Sequence, residues 1–187
     1  MIFKRRNTML TPEEKSDIEK KVNEFLGERA SSNSPNLDII RFATDKGFVV
    51  QSLNMGDDIT GMLLYDRDNK IVGTNSHKLI VVKRGLSEEQ SRFVVAHELA
   101  HFCLNNGSNH QIAHREVETI NNKDEEKAEY FSRCILMPKD FVKKLIRALK
   151  DYDSNISDEK LIRSISAIFS VTYAKAQVRY NEISCEN

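Results

Sequence analysis

The sequence predicts an α+β fold in which a small β-sheet packs on a mostly helical body. Short β-branched runs separated by Asp, Asn and Gly residues occupy residues 48–83, whereas apolar residues recur at helical spacing before and after that region. A chain of 187 residues is long enough to bury one hydrophobic core and short for two full-sized domains. We therefore expect one domain spanning residues 1–187.

The first helix is expected within residues 1–30. Thr11 can cap the free amides of a helix, Pro12 suits the first helical position, and Glu14 completes a capping box. The apolar stripe of this helix consists of Ile18, Val22, Phe25 and Leu26. That spacing predicts a helix with one buried face.

A short helix and the small sheet should follow. The polar stretch 31–35 is typical of a linker, and Gly47 would close a short helix whose apolar positions are Leu37, Ile40 and Phe42. The predicted strands are Phe48 to Val50, Ile59 to Tyr65, Ile71 to Val72 and Leu79 to Val82. The turn residues between them favour hairpins.

A long helix is predicted directly after the sheet. Ser87 and Gln90 form a capping box for a helix from Glu88 to about Leu104. The polar stretch 108–122 is predicted to be a loop. His110 and His114 fall in that loop and lack apolar flanks, so they are interpreted as loop residues.

The rest of the chain is predicted to be helical. One helix runs from about Asp124 to Met137, where Pro138 forces a stop. Residues 139–187 should form the C-terminal helices. Their apolar stripes cover Phe141 to Leu149, Leu161 to Phe169 and Thr172 to Ile183.

Composition excludes several classes of protein. Lysine plus arginine and aspartate plus glutamate both number 28, so overall charge favours neither nucleic acid nor a membrane surface. The sequence has no run of about 18 apolar residues, and the basic start Lys4-Arg5-Arg6 is not followed by an apolar segment. We expect a cytoplasmic protein.

Three scattered cysteines argue against a disulfide framework. Cys103, Cys134 and Cys185 include no Cys-x-x-Cys pair, so a thiolate zinc cluster is not expected either. Cys103 and Cys134 are interpreted as packed thiols. A reducing compartment fits this pattern.

The chemistry lies in the pentapeptide His97-Glu98-Leu99-Ala100-His101 on the long helix. Residues four apart share a helical face, so His97 and His101 can offer two imidazole nitrogens to one metal ion. Zinc is the expected ion, because two neutral imidazoles plus one carboxylate make a tetrahedral site that leaves a fourth position open for water. The ion would lower the pKa of that water to roughly 7. Glu98 would act as the general base. This pattern predicts a zinc peptidase with an HExxH motif.

A simpler interpretation is that these side chains decorate a partly exposed helix through hydrogen bonds one turn apart. The apolar residues 93–96 argue against it, because they predict a buried helix in which unpaired imidazoles and a carboxylate would be costly.

The third ligand should come from the acidic start of the next helix, residues 124–129. Glu125 and Glu129 share one helical face with the small residues Ala128 and Ser132, which would allow close approach to the motif helix. Negative charge at a helix N-terminus also has an ordinary electrostatic explanation. From the residues alone, both glutamates remain candidates.

Over most of its length the chain resembles the ImmA/IrrE family of bacterial metallopeptidases. The resemblance rests on Arg92 to His101 and on a second segment with Glu125, Ala128, Phe131 and Leu136-Met137-Pro138. It implies a zincin-like α+β core, with Glu125 as the third zinc ligand and Glu129 in reserve. Departures from the family pattern at Lys127, Ser132, Arg133 and Ile135 remove no ligand.

The resemblance also implies a function. Members of that family cleave or otherwise inactivate a helix-turn-helix repressor of a phage, mobile element or stress response. We therefore expect a zinc-dependent endopeptidase acting on one regulatory protein, a repressor or antitoxin. The alternative is a non-hydrolytic, zinc-containing regulatory or toxin-like module that binds a repressor or DNA.

Two further features leave alternatives open. His77 and Tyr130 are candidates to stabilise the transition state, although His77 also fits an ordinary surface loop. The last two helices have the size and short turn of a helix-turn-helix. However, the second carries only Lys175 and Arg179 as cations, so DNA contact is the less favoured interpretation.

Overall fold

The computed structural model describes residues 10–28, 36–71, 73–105 and 122–185. Its elements in chain order are α1 (Pro12–Leu26), α2 (Ile39–Asp45), β1 (Val49–Leu53), β2 (Gly61–Tyr65), β3 (Lys78–Lys83), α3 (Glu88–Leu104), α4 (Asn122–Leu136), α5 (Lys139–Tyr152), α6 (Asp158–Phe169) and α7 (Tyr173–Ser184). The predicted α+β fold is confirmed. The linker at 31–35, the basic start, and His110 and His114 lie outside the described residues.

The predicted helix starts follow local capping chemistry. The Thr11 hydroxyl accepts a hydrogen bond from the Glu14 amide at 3.2 Å, and the Thr11 amide donates to the Glu14 carboxylate at 3.0 Å. Ser87 and Gln90 form the same reciprocal pair at the start of α3. Both predicted capping boxes are confirmed. They could be predicted because each joins groups that are only three residues apart.

The sheet has the strand order β1-β3-β2. β2 is antiparallel to β3, with Leu63 opposite Ile80, whereas β1 is parallel to β3, with Val49 opposite Leu79. The expectation of hairpins is therefore correct only for β2 and β3. A parallel pair needs a crossover, which the intervening strand β2 and its loops provide here.

The strand predicted at residues 71–72 is wrong where the structure describes it. Ile71 belongs to a turn, in which its amide donates to the Ser76 carbonyl at 2.9 Å and its carbonyl accepts from the Thr74 amide at 2.9 Å. A residue whose backbone closes a turn in this way has no group left for a sheet ladder. Residue 72 lies outside the described part of the chain.

Helix α3 runs through the centre of the core. Val95, Ala96, Leu99 and Ala100 have no exposed surface, and the helix packs against the sheet and against α4. On α4, Ala128 is also fully buried. Small residues at a helix crossing allow close approach, so the motif helix and the first turns of α4 lie side by side. None of the described helices combines the length and the apolarity needed to cross a bilayer.

The C-terminal helices are tied to this core by two buried arginines. Arg92 of α3 donates to the Ser170 carbonyl, at the turn between α6 and α7, at 3.2 Å. Arg179 of α7 is 2% exposed, and its Nε donates to the Met137 carbonyl at 3.1 Å. Its Nη1 also donates to the Glu182 carboxylate at 3.4 Å.

Replacing Arg179 by methionine should lower the free energy of unfolding by roughly 1–3 kcal/mol. The buried Met137 carbonyl would lose the Nε donor. Glu182 would keep its ion pair with Arg133 at 2.7 Å, which avoids the larger penalty of an unpaired carboxylate. Urea denaturation followed by circular dichroism measures the change. Gln177→Met, at an exposed site on the same helix, is the matched control and should cost under about 0.5 kcal/mol. If both variants lost the same free energy of unfolding, the loss in Arg179→Met could not be attributed to its hydrogen bond with Met137.

Candidate metal centre

Two imidazoles face each other across one turn of α3. The Nε2 atoms of His97 and His101 are 3.0 Å apart, and their ring centroids lie 4.7 Å apart at an interplanar angle of 79°. His97 is 8% exposed, while His101 is partly exposed at the end that opens to solvent. The spacing of four residues produces this pairing directly, because it returns both side chains to the same helical face.

Glu125 of α4 completes a group of three. Its Oε2 lies 3.1 Å from His97 Nε2, and its Oε1 lies 3.2 Å from His101 Nε2. The three ligand atoms that could bind one ion all lie within 4.8 Å of one another. Glu125 reaches this position because the fully buried Ala128, one turn later, brings the start of α4 against α3.

The chemistry of this group suits a metal ion. The Nε2 atoms of both imidazoles and the carboxylate oxygens of Glu125 converge on one small region. In the tautomer with the proton on Nδ1, each Nε2 offers a lone pair, as the carboxylate does. A single cation between the three groups satisfies all of them. Two histidines with one carboxylate also leave a coordination position open, as catalytic zinc sites do.

Glu98 lies next to the histidines on α3 and is 4% exposed. The first residue of β2, Gly61, lies directly against it. A Cβ atom at position 61 would be 3.0 Å from Glu98 Oε1 and 2.3 Å from Val94 Cγ1. The strand backbone can therefore approach the carboxylate only because residue 61 has no side chain. This closeness confines the Glu98 side chain where β2 meets α3.

The contact between Gly61 and Glu98 was not predicted from the sequence, where residue 61 falls within the predicted strand Ile59 to Tyr65. An isolated glycine inside a strand often marks a close backbone approach, and that signal could have found it.

Gly61→Ala should displace Glu98 and Val94, because a Cβ contact of 2.3 Å requires something to move. We expect a loss of roughly 1–3 kcal/mol in the free energy of unfolding, as for an overpacked core. Thermal melting measures the change.

Gly56→Ala is the matched control, since nothing lies within 4 Å of a Cβ at that position. Adding Val94→Ala to Gly61→Ala removes the closest clash and should restore part of the stability. A Gly61→Ala variant that behaves like Gly56→Ala would show that the approach of β2 to α3 is not tight.

Glu129, the reserve ligand, is directed elsewhere. Its carboxylate oxygens lie 2.6 and 2.9 Å from Lys175 Nζ of α7, and one of them lies 3.2 Å from Arg133 Nη1. Lys175 Nζ in turn lies 4.0 Å from the ring centroid of Phe93. The structure thus brings Glu125, and not Glu129, to the histidine pair. The two glutamates are one turn apart, but Lys175 of α7 and Arg133 of α4 hold the second.

The two candidates for transition-state stabilisation have other described partners. Tyr130 is 1% exposed and its hydroxyl donates to Glu19 Oε1 at 2.7 Å, on the α1 side of α4. Burial raises the pKa of this phenol above its ordinary value, so it stays protonated. His77 Nδ1 donates to the Asp66 carbonyl at 3.0 Å, beside the start of β3. Neither residue is brought into the group formed by His97, His101 and Glu125.

The cysteines on the helices of the site are packed thiols, as their positions indicated. Burial raises the pKa of Cys103 to about 12 and that of Cys134 to about 11. Both thiols are therefore protonated near neutral pH and are poor nucleophiles and metal ligands.

Residues 43–181 match the model of a peptidase family described as the IrrE N-terminal-like domain. The chain belongs to this family. The resemblance inferred from the motif helix and α4 is thereby confirmed, and membership implies a metallopeptidase. A comparison with curated proteins gave no match. The matched region of this family member runs from α2 to α7, so it contains the sheet and the metal-site helices, whereas α1 lies outside it.

Proposed function

We propose that this chain is a zinc-dependent endopeptidase that hydrolyses a peptide bond in one regulatory protein. The observation that carries the proposal is the convergence of His97, His101 and Glu125, with the buried Glu98 directly following His97 on the same helix. Zinc suits this donor set better than harder ions, which prefer oxygen ligands alone.

His97, His101 and Glu125 would hold the zinc ion, which supplies Lewis acidity toward a peptide carbonyl and toward water. Glu98 then acts as the general base. It accepts a proton from the attacking water molecule at a carboxylate oxygen and donates it to the leaving amine nitrogen. The confinement of Glu98 by Gly61 keeps this carboxylate oriented through both transfers.

A cavity that reaches His101 supports a peptide substrate. It has a volume of about 350 Å³ and is lined by His101, by the polar face of α1 and by the first turns of α4. That volume accommodates a few side chains rather than a whole folded domain. A flexible or locally unfolded segment of a protein target is the substrate that fits it.

The identity of the target is proposed from the family resemblance. A helix-turn-helix repressor or an antitoxin would make this peptidase a regulator of transcription, and both proteins would then act in the cytoplasm. Cleavage between the DNA-binding and oligomerisation parts of such a repressor would inactivate it.

The second candidate is a non-hydrolytic module that sequesters a repressor or contacts DNA. Its supporting observation is the three-residue turn between α6 and α7, where Ser170 has a left-handed backbone with φ of 49°. Against DNA contact, Lys175 and Arg179 of α7 are both engaged in internal interactions with Glu129 and Met137. Phosphate binding needs cations that are free to reach the duplex.

Co-expression with a helix-turn-helix repressor encoded beside this gene tests the proposal. Wild type should produce a shortened repressor, and mass spectrometry of the fragments identifies the cleaved bond. Treating the purified pair with a chelator should stop the cleavage, and adding back zinc should restore it. An intact repressor that copurifies with the zinc-loaded protein would favour the binding module instead.

A further inference from the structure

A second cavity, of about 480 Å³, adjoins the cavity at the metal centre. Lys21 and Glu24 of α1 line both cavities, so the two meet at this face of α1. The first also contains His101, whereas the second contains Phe102 and Cys103, the next two residues of α3. An extended peptide advances about 3.3 Å per residue. A substrate crossing the metal centre would therefore reach the second cavity within a few residues.

The second cavity has an aromatic floor. Phe25, Tyr65 and Phe102 line it, and the rings of Tyr65 and Phe102 meet edge to face with centroids 5.2 Å apart. Phe102 also meets Phe48 edge to face at 5.0 Å. This packing makes the floor rigid, because each ring is held by another.

Cations surround this floor. Lys21 and Arg67 line the cavity itself. Behind it, Lys78 Nζ lies 5.0 Å from the ring centroid of Phe102, and Lys46 Nζ lies 5.1 Å from that of Phe25. Within the described part of the chain, no carboxylate forms an ion pair with any of these four cations.

The remaining polar groups of the cavity do not balance this charge. Glu24 is the single carboxylate among the described lining residues. Lys21 and Arg67 line the pocket, and Lys46 and Lys78 lie behind its floor, which makes the local potential positive. We call this site, formed by Lys21, Glu24, Phe25, Tyr65, Arg67, Phe102 and Cys103, the basic aromatic pocket.

We propose that the basic aromatic pocket is a specificity subsite that binds an acidic side chain of the peptide substrate, a few residues from the scissile bond. The proposal rests on the proposed peptidase function. Lys21 and Arg67 would pair with the carboxylate, and the aromatic floor would pack against its methylene groups and the neighbouring backbone. Nucleic acid is the less favoured occupant, because a phosphate backbone needs a row of cations and only two cations line this pocket.

The origin of the pocket supports a role in specificity. The metal-site helices lie within the region matched by the family model, whereas Lys21, Glu24 and Phe25 belong to α1, outside it. The catalytic part is therefore shared with the family, and this wall of the cleft is supplied by a segment beyond the matched region. Substrate choice can differ in that way while the chemistry is kept.

Peptide binding to the zinc-loaded Glu98→Gln protein tests the proposal without depending on cleavage. The probes are three pools of fluorescein-labelled twelve-residue peptides, random in uncharged residues, with a fixed central Glu, Gln or Lys. Fluorescence anisotropy at low salt should show the Glu pool binding roughly three- to tenfold more tightly than the Gln pool.

Charge reversal identifies the residues responsible. In the background of Glu98→Gln, the changes Lys21→Glu and Arg67→Glu together should reverse the preference, so that the Lys pool binds more tightly than the Glu pool. Arg147→Glu, at an exposed position of α5, is the matched control and should keep the preference for Glu. Circular dichroism verifies that each variant is folded.

Equal binding of the three pools would overturn the subsite, and so would a preference for Glu that survives the double charge reversal. Displacement of the Glu pool by an equal concentration of a single-stranded DNA twelve-mer would also overturn it, because nucleic acid would then be the better occupant. A preference that reverses as expected supports the subsite even where the wild-type zinc protein cleaves none of the pools. The absence of cleavage would count against the peptidase proposal alone.

Discussion

Replacing Glu98 by glutamine should lower the rate of peptide hydrolysis by roughly 10²–10⁴-fold and leave the bound metal in place. Glutamine has nearly the same size as glutamate, so it should fit beside Gly61, where the glutamate is 4% exposed. Its amide, however, cannot accept the proton of the attacking water. The variant should therefore lose the base and keep the site.

The measurement combines single-turnover hydrolysis of a cleaved target with metal analysis of the same preparation. Glu88→Gln is the matched control, since Glu88 is exposed at the start of the same helix and should keep wild-type activity. A Glu98→Gln variant with more than about a tenth of wild-type activity would contradict the role of general base. Loss of metal in that variant would instead indicate that Glu98 helps to hold the ion.

Replacing Glu125 by alanine should weaken zinc binding by more than about 100-fold, because outer-shell partners of a metal site already contribute 10–100-fold and Glu125 lies among the ligand atoms themselves. His97 and His101 would remain, but they would lack the carboxylate that lies 3.1 and 3.2 Å from their Nε2 atoms. Hydrolysis should be lost together with the metal. Competition with a chromophoric chelator measures the affinity.

Glu129→Ala is the matched control on the same helix face. It removes ion pairs with Lys175 and Arg133, and the loss should be about 1 kcal/mol or less, because Lys175 is partly exposed and the buried Arg133 keeps its ion pair with Glu182. Zinc affinity should be unchanged. Zinc loss in Glu129→Ala with retention in Glu125→Ala would reverse the assignment of the third ligand.

The helix starts and the histidine pair could be predicted because they depend on local geometry. The capping boxes at Thr11 and Ser87 need only groups three residues apart, and the pairing of His97 with His101 needs only one helical turn. The fold class followed from the change between β-branched runs and helical spacing. These features require no knowledge of which elements pack together.

Strand pairing could not be derived in the same way. The parallel pairing of β1 with β3 depends on a contact between residues 30 positions apart, and the segment at Ile71 had the composition of a strand but closes a turn. A short apolar run carries no information about its partner, so hydrogen bonding within the turn decided the outcome.

By itself, the sequence predicted the histidine pair, the neighbouring candidate base and the family, since each lies in a short segment whose chemistry is set by residue type and spacing. Only the tertiary structure decided between Glu125 and Glu129, because the choice depends on whether α3 or α7 faces each carboxylate. Only the tertiary structure placed Gly61 against Glu98 and made residues of α1 line the cavity that contains His101. The physical reason is that these contacts join distant segments, whose approach is fixed by the packing of the whole core rather than by any local pattern.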